Sequence, residues 1–555
     1  MGTSPYRAID KREMKQLVSK NLLVSVLSKV FYLATRLFIP PLVLAYVGQA
    51  EYGIWAICFV LISYLGLGAF GVSNVYIRYV AEYHARDEIE KINGLISTGI
   101  VLVSSISLLL LCIFWFLLPT LIVHVFNIPS TIPSDPDTNL HQTAFILFYS
   151  TACIFLLELN ISAFMYILNG LQKITETSVI LVGSATLETL FTVLFLLLGF
   201  GIYSLLIAFG IRYLVSIIVY TSLCFKTLPT LSIGIQHVRV EYLRLFYRFG
   251  SIVQLAGVLG IVTRSIDKIL AASMIHIYAA GALELGAKFP LMAVTIPASM
   301  NSVFLPASSY MHNQKRQQEM LDMYVEGTRV MALLTGFIMG YLAAFSIPLI
   351  MAWLGAWTDY DALTIAFIMV FSTLPQQLHV LTGPGSAIFN GINKPSRTLI
   401  YPLLRLGLMF VFGGLAILFS LISWENVQLL DIVILVNLAT LVGALTYSAY
   451  INKTIGLSHL VFFEKVLLPS FIPYVTGFAI FWLLSFWNIN LYSRLSAIEF
   501  VLISGVLYTA LTSVVIFYGI FSNDERENLS NKFMSTGHFA MYKIKGRLTA
   551  YFSWK

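Results

Sequence analysis

The chain has 555 residues, 58% of them hydrophobic and only 11% charged, with a formal net charge of +7. Soluble domains carry roughly 25% charged and about 45–50% apolar residues. The composition therefore excludes a soluble globular protein and a disordered scaffold and, despite the positive balance, a nucleic-acid binder. It reads as an all-α, polytopic integral membrane protein.

The N-terminal segment 1–20 carries Arg7, Lys11, Arg12, Lys15 and Lys20, and the apolar run behind it is too long for a cleaved signal sequence. It reads as a first span that is retained. With about 20 apolar residues needed to cross a bilayer, fourteen spans follow: 21–46, 52–77, 94–126, 142–168, 178–200, 203–225, 246–275, 281–309, 327–354, 362–390, 399–422, 428–451, 466–487 and 496–521. The apolar runs are continuous rather than alternating, which excludes a β-barrel.

Span 1 carries Lys29 and Arg36, seven residues apart on one helix face, and Pro40-Pro41 mark a bend. Span 2 opens on Tyr52-Gly53-Ile54-Trp55 and holds Gly66-Leu67-Gly68-Ala69-Phe70-Gly71. With no strand before it, this G-x-G-x-x-G reads as close helix packing or a hinge rather than a dinucleotide site. Span 2 closes on Ile77-Arg78-Tyr79-Val80-Ala81-Glu82. Glu158, Glu188 and Arg212 follow in spans 4, 5 and 6. Span 7 contains Arg264, Asp267 and Lys268, span 8 contains Glu284 and Lys288 with Pro290 and Pro297, and span 10 has Pro384 between Gly383 and Gly385. Asp359-Tyr360-Asp361 resembles a glycosyltransferase D-x-D, but no large acceptor-binding domain follows it. The tail 522–555 mixes basic and aromatic residues and suits a helix lying on an anionic leaflet, with a disordered basic tail as the alternative.

Orientation follows from the basic residues. With residues near the span edges counted with the loops, six of the 34 lysines and arginines lie inside spans and one, Arg494, lies in the loops after odd-numbered spans. The others precede span 1 or follow even-numbered spans, so both termini are expected in the cytoplasm. The loops 127–140 and 355–361 carry Asp135, Asp137, Asp359 and Asp361 but no Lys or Arg. All loops are short and leave no room for a soluble catalytic domain. Cys58, Cys112, Cys153 and Cys224 sit in apolar runs without a C-x-x-C pair, and the nine histidines form no H-E-x-x-H. No metal, cofactor or ATP site is expected.

The chain also repeats itself. Asn169-Gly170-Leu171-Gln172-Lys173 recurs as Asn390-Gly391-Ile392-Asn393-Lys394, 221 residues on, and Thr177 and Thr398 share that offset. Asn-Gly suits a tight, positive-φ helix stop at both places. At an offset of 228, Thr35-Arg36 aligns with Thr263-Arg264, Gly53 with Gly281, His84 with His312 and Gly99 with Gly327. Spans six apart point the same way, so this is a parallel repeat. The expected organisation is a cytoplasmic segment 1–20, a six-helix half 21–226, a linker 227–245, a pseudo-equivalent half 246–452, two further helices within 453–521, and the tail 522–555.

Taken together, the charged N-terminus, the motifs bounding span 2, Asp267-Lys268 and the two N-G-x-x-K turns make the chain resemble Wzx-type flippases of O-antigen and polysaccharide precursors. These belong to the multidrug/oligosaccharidyl-lipid/polysaccharide exporter (MOP) superfamily. The resemblance implies a bacterial inner-membrane transporter rather than an enzyme. It would carry undecaprenyl-diphosphate-linked oligosaccharide from the cytoplasmic to the outer leaflet, for O-antigen, lipopolysaccharide or another surface polysaccharide. Membrane lipids and the polysaccharide polymerase machinery are the further partners implied.

The charges inside the spans fit such cargo. Lys29, Arg36, Arg212, Arg264, Lys268 and Lys288 outnumber Glu158, Glu188, Asp267 and Glu284 by two. A charge at mid-bilayer costs at least about 2.5–3.5 kcal/mol, so these groups are expected to face a polar interior. The cations suit a lipid diphosphate, and the four carboxylates are candidates for ion coupling. Structural pairing is the competing explanation for Glu284 with Lys288, Asp267 with Arg264 and Arg212 with Glu188, and Lys29 has the option of snorkelling. Span 1 itself offers Arg36 no acidic partner. An ion-coupled drug or metabolite antiporter of the same superfamily is the alternative function. It fits less well, because such antiporters usually present acidic cavities.

Overall fold

The computed structural model describes residues 35–527 apart from 70–71, 133–134, 172, 356–361, 420–426, 487–492 and 524. Segment 1–20, Lys29, Asp359-Tyr360-Asp361 and most of the tail lie outside the described residues. Helix α1 (Thr35–Val47) is the described part of span 1 and runs through Pro40-Pro41 without a break. Span 2 is two helices, α2 (Gln49–Leu65) and α3 (Val72–Ala85), separated by a 3-10 turn at Gly66–Ala69. Then come α4 (Ile89–Thr120), a short antiparallel hairpin of β1 (Thr131–Ile132) and β2 (Asp135–Asn139), α5 (Leu140–Ile161), α6 (Ala163–Gly170), α7 (Ile174–Leu197) and α8 (Tyr203–Thr227).

A linker over residues 228–239 leads to α9 (Val240–Met274). It is followed by α10 (Ile277–Ala293), α11 (Thr295–Ser299), α12 (Asn301–Asn313), α13 (Gln317–Ala344), α14 (Ser346–Leu354), α15 (Ala362–Leu381), α16 (Gly383–Gly391), α17 (Ile400–Leu418) and α18 (Leu429–Ile455). The described chain finishes with α19 (His459–Phe462), α20 (Leu468–Ser485) and α21 (Arg494–Gly519).

Among the described residues, eleven helical stretches are long and apolar enough to cross a membrane, and the pair Ile277–Ala293 and Thr295–His312, bent by 48°, makes a twelfth. The other two expected spans are α1, described in part, and α9, a 35-residue helix that carries Arg264, Asp267 and Lys268. The protein is a multi-pass, all-α membrane protein. Spans 2, 4, 8, 9 and 10, expected as single helices, are each interrupted. Hydropathy does not register these breaks, but backbone chemistry explains most of them. Pro297, Pro348 and Pro384 each lack the N–H that would continue a preceding helix, and Gly66 and Gly68 weaken α2 where it ends.

Equivalent contacts recur in the two halves. A Cβ on Gly99 would strike Tyr76, and one on Gly327 would strike Phe304; Tyr76 and Phe304 are themselves 228 residues apart. A Cβ on Gly170 would sit 3.0 Å from the carbonyl oxygen of Ile77, and one on Gly391 would sit 2.7 Å from that of Leu305, again 228 residues on. Both N-G-x-x-K turns close with the same backbone bonds, Lys173 N–H to Leu168 at 2.9 Å and Lys394 N–H to Phe389 at 2.8 Å. The expected positive φ does not fall on the Asn-Gly pair. Gly170 and Gly391 end their helices and are small so that α6 meets α3 and α16 meets α12, while the left-handed residue is Asn393, with φ 59°.

The apolar core is fused at one end of the bundle and divided at the other. At the end bearing the β-hairpin, one cluster joins Phe126, Ile128, Leu140 and Leu205 of the first half to Ile277, Leu354 and Ile365 of the second. At the end bearing the linker there are two separate clusters, the first of which also takes in Tyr242 and Phe246 from the start of α9. Tyr76, Ile92, Ile167 and Cys224 belong to one, and Phe304, Tyr324, Ile388 and Tyr447 to the other.

A charged cavity between the two halves

Spacing of three and four residues puts Gly281, Glu284, Lys288, Met292 and Thr295 on one face of the bent helix α10–α11. Tyr52, Trp55, Ala56 and Phe59 form a matching stripe on α2. Toward the hairpin end these helices touch where Gly53 meets Gly281. Below that contact they part around a cavity of about 300 Å³, walled by Arg36 and Pro40 of α1, Trp55 and Phe59 of α2, Glu284 and Lys288 of α10, and neighbouring apolar groups. That volume is at the small end of the range of about 300–1,000 Å³ for ligand pockets. Trp55 and Phe59 stand edge to face with centroids 5.4 Å apart and stiffen the α2 wall.

Above the cavity, hydrogen bonds tie the halves together. The Asn127 side-chain amide donates to the carbonyl of Ser273 at 2.7 Å, that of Gln49 to Tyr278 at 3.2 Å, and the Trp353 indole N–H to Leu37 at 2.7 Å.

Two ionic clusters flank the cavity, one in each half. In the first, Glu188 of α7 accepts from Arg36 Nη2 at 2.8 Å and from Arg212 Nη1 of α8 at 2.9 Å, both on the same Oε2. In the second, Glu284 accepts from Lys288 Nζ at 2.8 Å on Oε1 and from Lys268 of α9 on Oε2. Each cluster sets two cations on one carboxylate, a net charge of +1 over those three groups, with Glu158 beside the first and Asp267 beside the second as further carboxylates. A buried carboxylate carries a desolvation cost of several kcal/mol unless it is paired and hydrogen-bonded, and here each has two cationic donors.

The structure therefore brings Arg36, Glu284 and Lys288 into the cavity wall and sets Lys268, Arg212 and Glu188 behind it. Arg36, to which span 1 offers no acidic residue, pairs across the half with Glu188. Arg212 pairs with Glu188 as its charge allowed. Arg264, expected in the cationic cavity, is exposed on α9 outside its wall, and the alternative, an ion pair with Asp267, is absent from the described residues. Asp267 instead accepts the backbone N–H of Lys268 at 2.8 Å. Lys268 reaches Glu284 on α10, while Asp267 lies in the electrostatic reach of Lys268 first and of Arg405 of α17 after it. Glu158 lies in the electrostatic reach of Arg212.

Sequence reasoning missed Arg405. It is 7% exposed, and its Nε is buried without a hydrogen-bond partner among the described residues. Its charge acts on Asp267 and on the pair His379 and Tyr401, whose Nδ1 and Oη are 2.8 Å apart. Counting basic residues by loop groups Arg405 with the loop charges, and only its place a full turn into α17 separates it. Among the described residues, no three His, Cys, Asp or Glu side chains converge to hold a metal ion.

Known proteins show the same architecture. Lipid II flippase MurJ in an inward closed conformation matches with a TM-score of 0.62 and 16% identity, over 90% of this chain and 98% of MurJ. A multidrug resistance MATE family transporter of the MOP superfamily, inward-facing, matches with a TM-score of 0.59 and 12% identity over 78% and 94%. A MOP superfamily transporter from Pyrococcus furiosus matches with a TM-score of 0.54 and 14% identity over 79% and 96%. At these identities the likeness is one of fold. Curated protein sequences give no match. The family model for polysaccharide biosynthesis proteins covers residues 18–312, from the first span through the bent helix that carries Glu284 and Lys288. That is more than half of the sequence, and the chain belongs to the polysaccharide biosynthesis protein family.

Proposed function

We propose that the chain moves undecaprenyl-diphosphate-linked oligosaccharide, such as an O-antigen repeat unit, from the cytoplasmic to the outer leaflet of the bacterial inner membrane. One observation carries this: Arg36 from one half and Lys288 from the other wall the same cavity, and each belongs to a cluster with one net positive charge. An anion with two phosphates suits two such charges, and guanidinium binds phosphate oxygens in bidentate fashion. Membership in a polysaccharide biosynthesis family and a fold shared with a lipid II flippase support the same cargo class.

In this proposal the linker end, rich in loop lysines and arginines, is cytoplasmic. The diphosphate enters there, between the divided cores, and rests on Arg36 and Lys288 while the lipid tail stays in the bilayer. The two six-helix halves, 21–226 and 246–452, then rock about it so that the hairpin end opens, and helices 13 and 14 ride on the second half. The cargo leaves toward the polymerase machinery on the outer face. Release requires that the cations bind loosely enough to let go. Glu188 and Glu284 are each occupied by two cations, which leaves Glu158 and Asp267 as the carboxylates for any ion coupling.

Complementation of a flippase-null strain tests the proposal, with membrane abundance measured alongside. Arg36→Ala and Lys288→Ala are expected to abolish polysaccharide export at normal abundance. Arg36→Lys keeps the charge but loses the fork and is expected to retain part of it. Full export by both alanine variants would refute the cationic-cavity mechanism.

A further inference from the structure

The two ionic clusters are built to one plan from unrelated positions. Arg36, Glu188 and Arg212 lie on α1, α7 and α8, whereas Lys268, Glu284 and Lys288 lie on α9 and α10. Duplication does not explain the likeness. At the repeat offsets Glu188 aligns with Met409, Arg212 with Val433, Glu284 with Ala56 and Lys268 with Pro40. Two cations share one carboxylate on either side of the same cavity, at positions that do not correspond in the repeat. Within each cluster the cation in the cavity wall is the more exposed: Arg36 at 18% against 10% for Arg212, and Lys288 at 20% against 15% for Lys268.

Electrostatics gives this arrangement a use. A front cation alone with its carboxylate would be a neutral pair, with little attraction for an anion. Two bare cations would repel in a low-dielectric interior and lose their fixed places. With a second cation behind, the carboxylate still fixes the front cation while its charge is cancelled from the rear. We infer that Arg212 and Lys268 are positioning residues that neutralise Glu188 and Glu284 from behind, so that Arg36 and Lys288 each present an undiminished positive charge to a diphosphate-class anion. The inference rests on the cationic cavity being the cargo site, and it assigns no ligand contact to Arg212 or Lys268 themselves.

The test is a charge-balance series on the full chain in lipid nanodiscs, with inorganic pyrophosphate as the probe, calorimetry as the readout and constant ionic strength. Arg212→Met leaves Arg36 paired with Glu188 but takes from Glu158 the cation that acts on it, so this series is made in, and compared with, a Glu158→Gln background; thermal unfolding checks the fold. Binding is expected to weaken about tenfold or more. The double variant Glu188→Gln with Arg212→Met removes the carboxylate together with its counter-charge and should recover to within about threefold of the parent. Lys268→Met, and Glu284→Gln with Lys268→Met, both made in an Asp267→Asn background because Lys268 is the first charge acting on Asp267, should behave alike and decide the matter if the Arg212 variant does not fold. Single variants that bind like the parent, or double variants no better than the singles, overturn the inference; a purely structural role predicts the latter. A parent protein with no pyrophosphate binding overturns the cationic-cavity reading itself, and is recognised by the loss appearing before any substitution is made.

Discussion

Gly53 of α2 and Gly281 of α10, aligned by the internal repeat, rest against each other across the seam between the halves. A Cβ on Gly281 would lie 3.4 Å from Gly53 Cα, an ordinary contact, but one on Gly53 would run into the backbone carbonyl of Ile277. The two substitutions should therefore differ. Gly53→Ala has to push α10 away and is expected to cost about 1–3 kcal/mol, as overpacking does. It should also make cysteines placed at the hairpin end more reactive to a membrane-impermeant thiol reagent. Gly281→Ala should stay within about 0.5 kcal/mol of the parent. Equal stability and labelling of the two variants would contradict the described contact.

Orientation is checked by the same chemistry. Single cysteines at Lys173, Lys315 and Lys453 should be shielded from an impermeant reagent in intact cells, and cysteines at Asp135 and Asp359 should be labelled. Inversion at any two of these positions would reverse the proposed direction of loading.

A pH dependence is expected at the start of α10. His276 precedes the helix and its Nδ1 accepts the N–H of Ala279 at 3.3 Å, which requires that nitrogen to be unprotonated. Burial pushes the imidazole below its ordinary 6.5, outweighing a backbone hydrogen bond that raises it. The folded state thus holds fewer protons than the unfolded chain, so this contribution is full above a pH of about 6.5 and is lost as pH falls. Thermal unfolding in detergent should show that slope. His276→Asn keeps a cap acceptor and should flatten it, and His276→Ala should cost about 0.5–2 kcal/mol at neutral pH.

The exit from α21 is clamped. Arg329 of α13 pairs with Glu525 at 2.8 Å and donates to the carbonyl of Ile520 at 3.0 Å, while Arg526 donates through Nε to Phe521 at 2.8 Å. Burial raises the Glu525 carboxyl, but the Ser522 N–H and Arg329 outweigh it and hold the group below its ordinary range. Arg329→Met should cost about 1–3 kcal/mol through the lost charge-assisted bonds and speed tryptic cleavage after Arg526. Glu525→Gln, at a partly exposed group, should do less on both counts.

The spans, the repeat and the identity of the buried charges were legible because each leaves a one-dimensional trace: an apolar run, a recurring turn, a lysine where hydrocarbon is expected. Helix breaks at Ser162, Phe345 and Thr382 were not, since a run of apolar residues reads the same whether or not its backbone bonds continue. The pairing of Arg36 with Glu188 was likewise hidden, because Glu188 lies 152 residues away and only the fold brings α7 near α1. Arg405 was obscured by its nearness to a basic loop. The walls of the cavity were half visible: Trp55 and Phe59 share a helix face, but nothing in the sequence says what that face meets.

The apolar seam at the hairpin end also acts as an insulator. A charged chamber deep in a bilayer is a ready path for protons and small ions, which a membrane that stores energy as an ion gradient cannot leave open. While Phe126, Ile277 and Leu354 stay packed in one continuous core, whatever reaches Arg36 from the divided end meets a dry plug beyond it. For the membrane to stay sealed, the seam must part only after the other end has closed. Substitutions that loosen it should therefore first show themselves as a leak, in cells whose surface polysaccharide still looks normal.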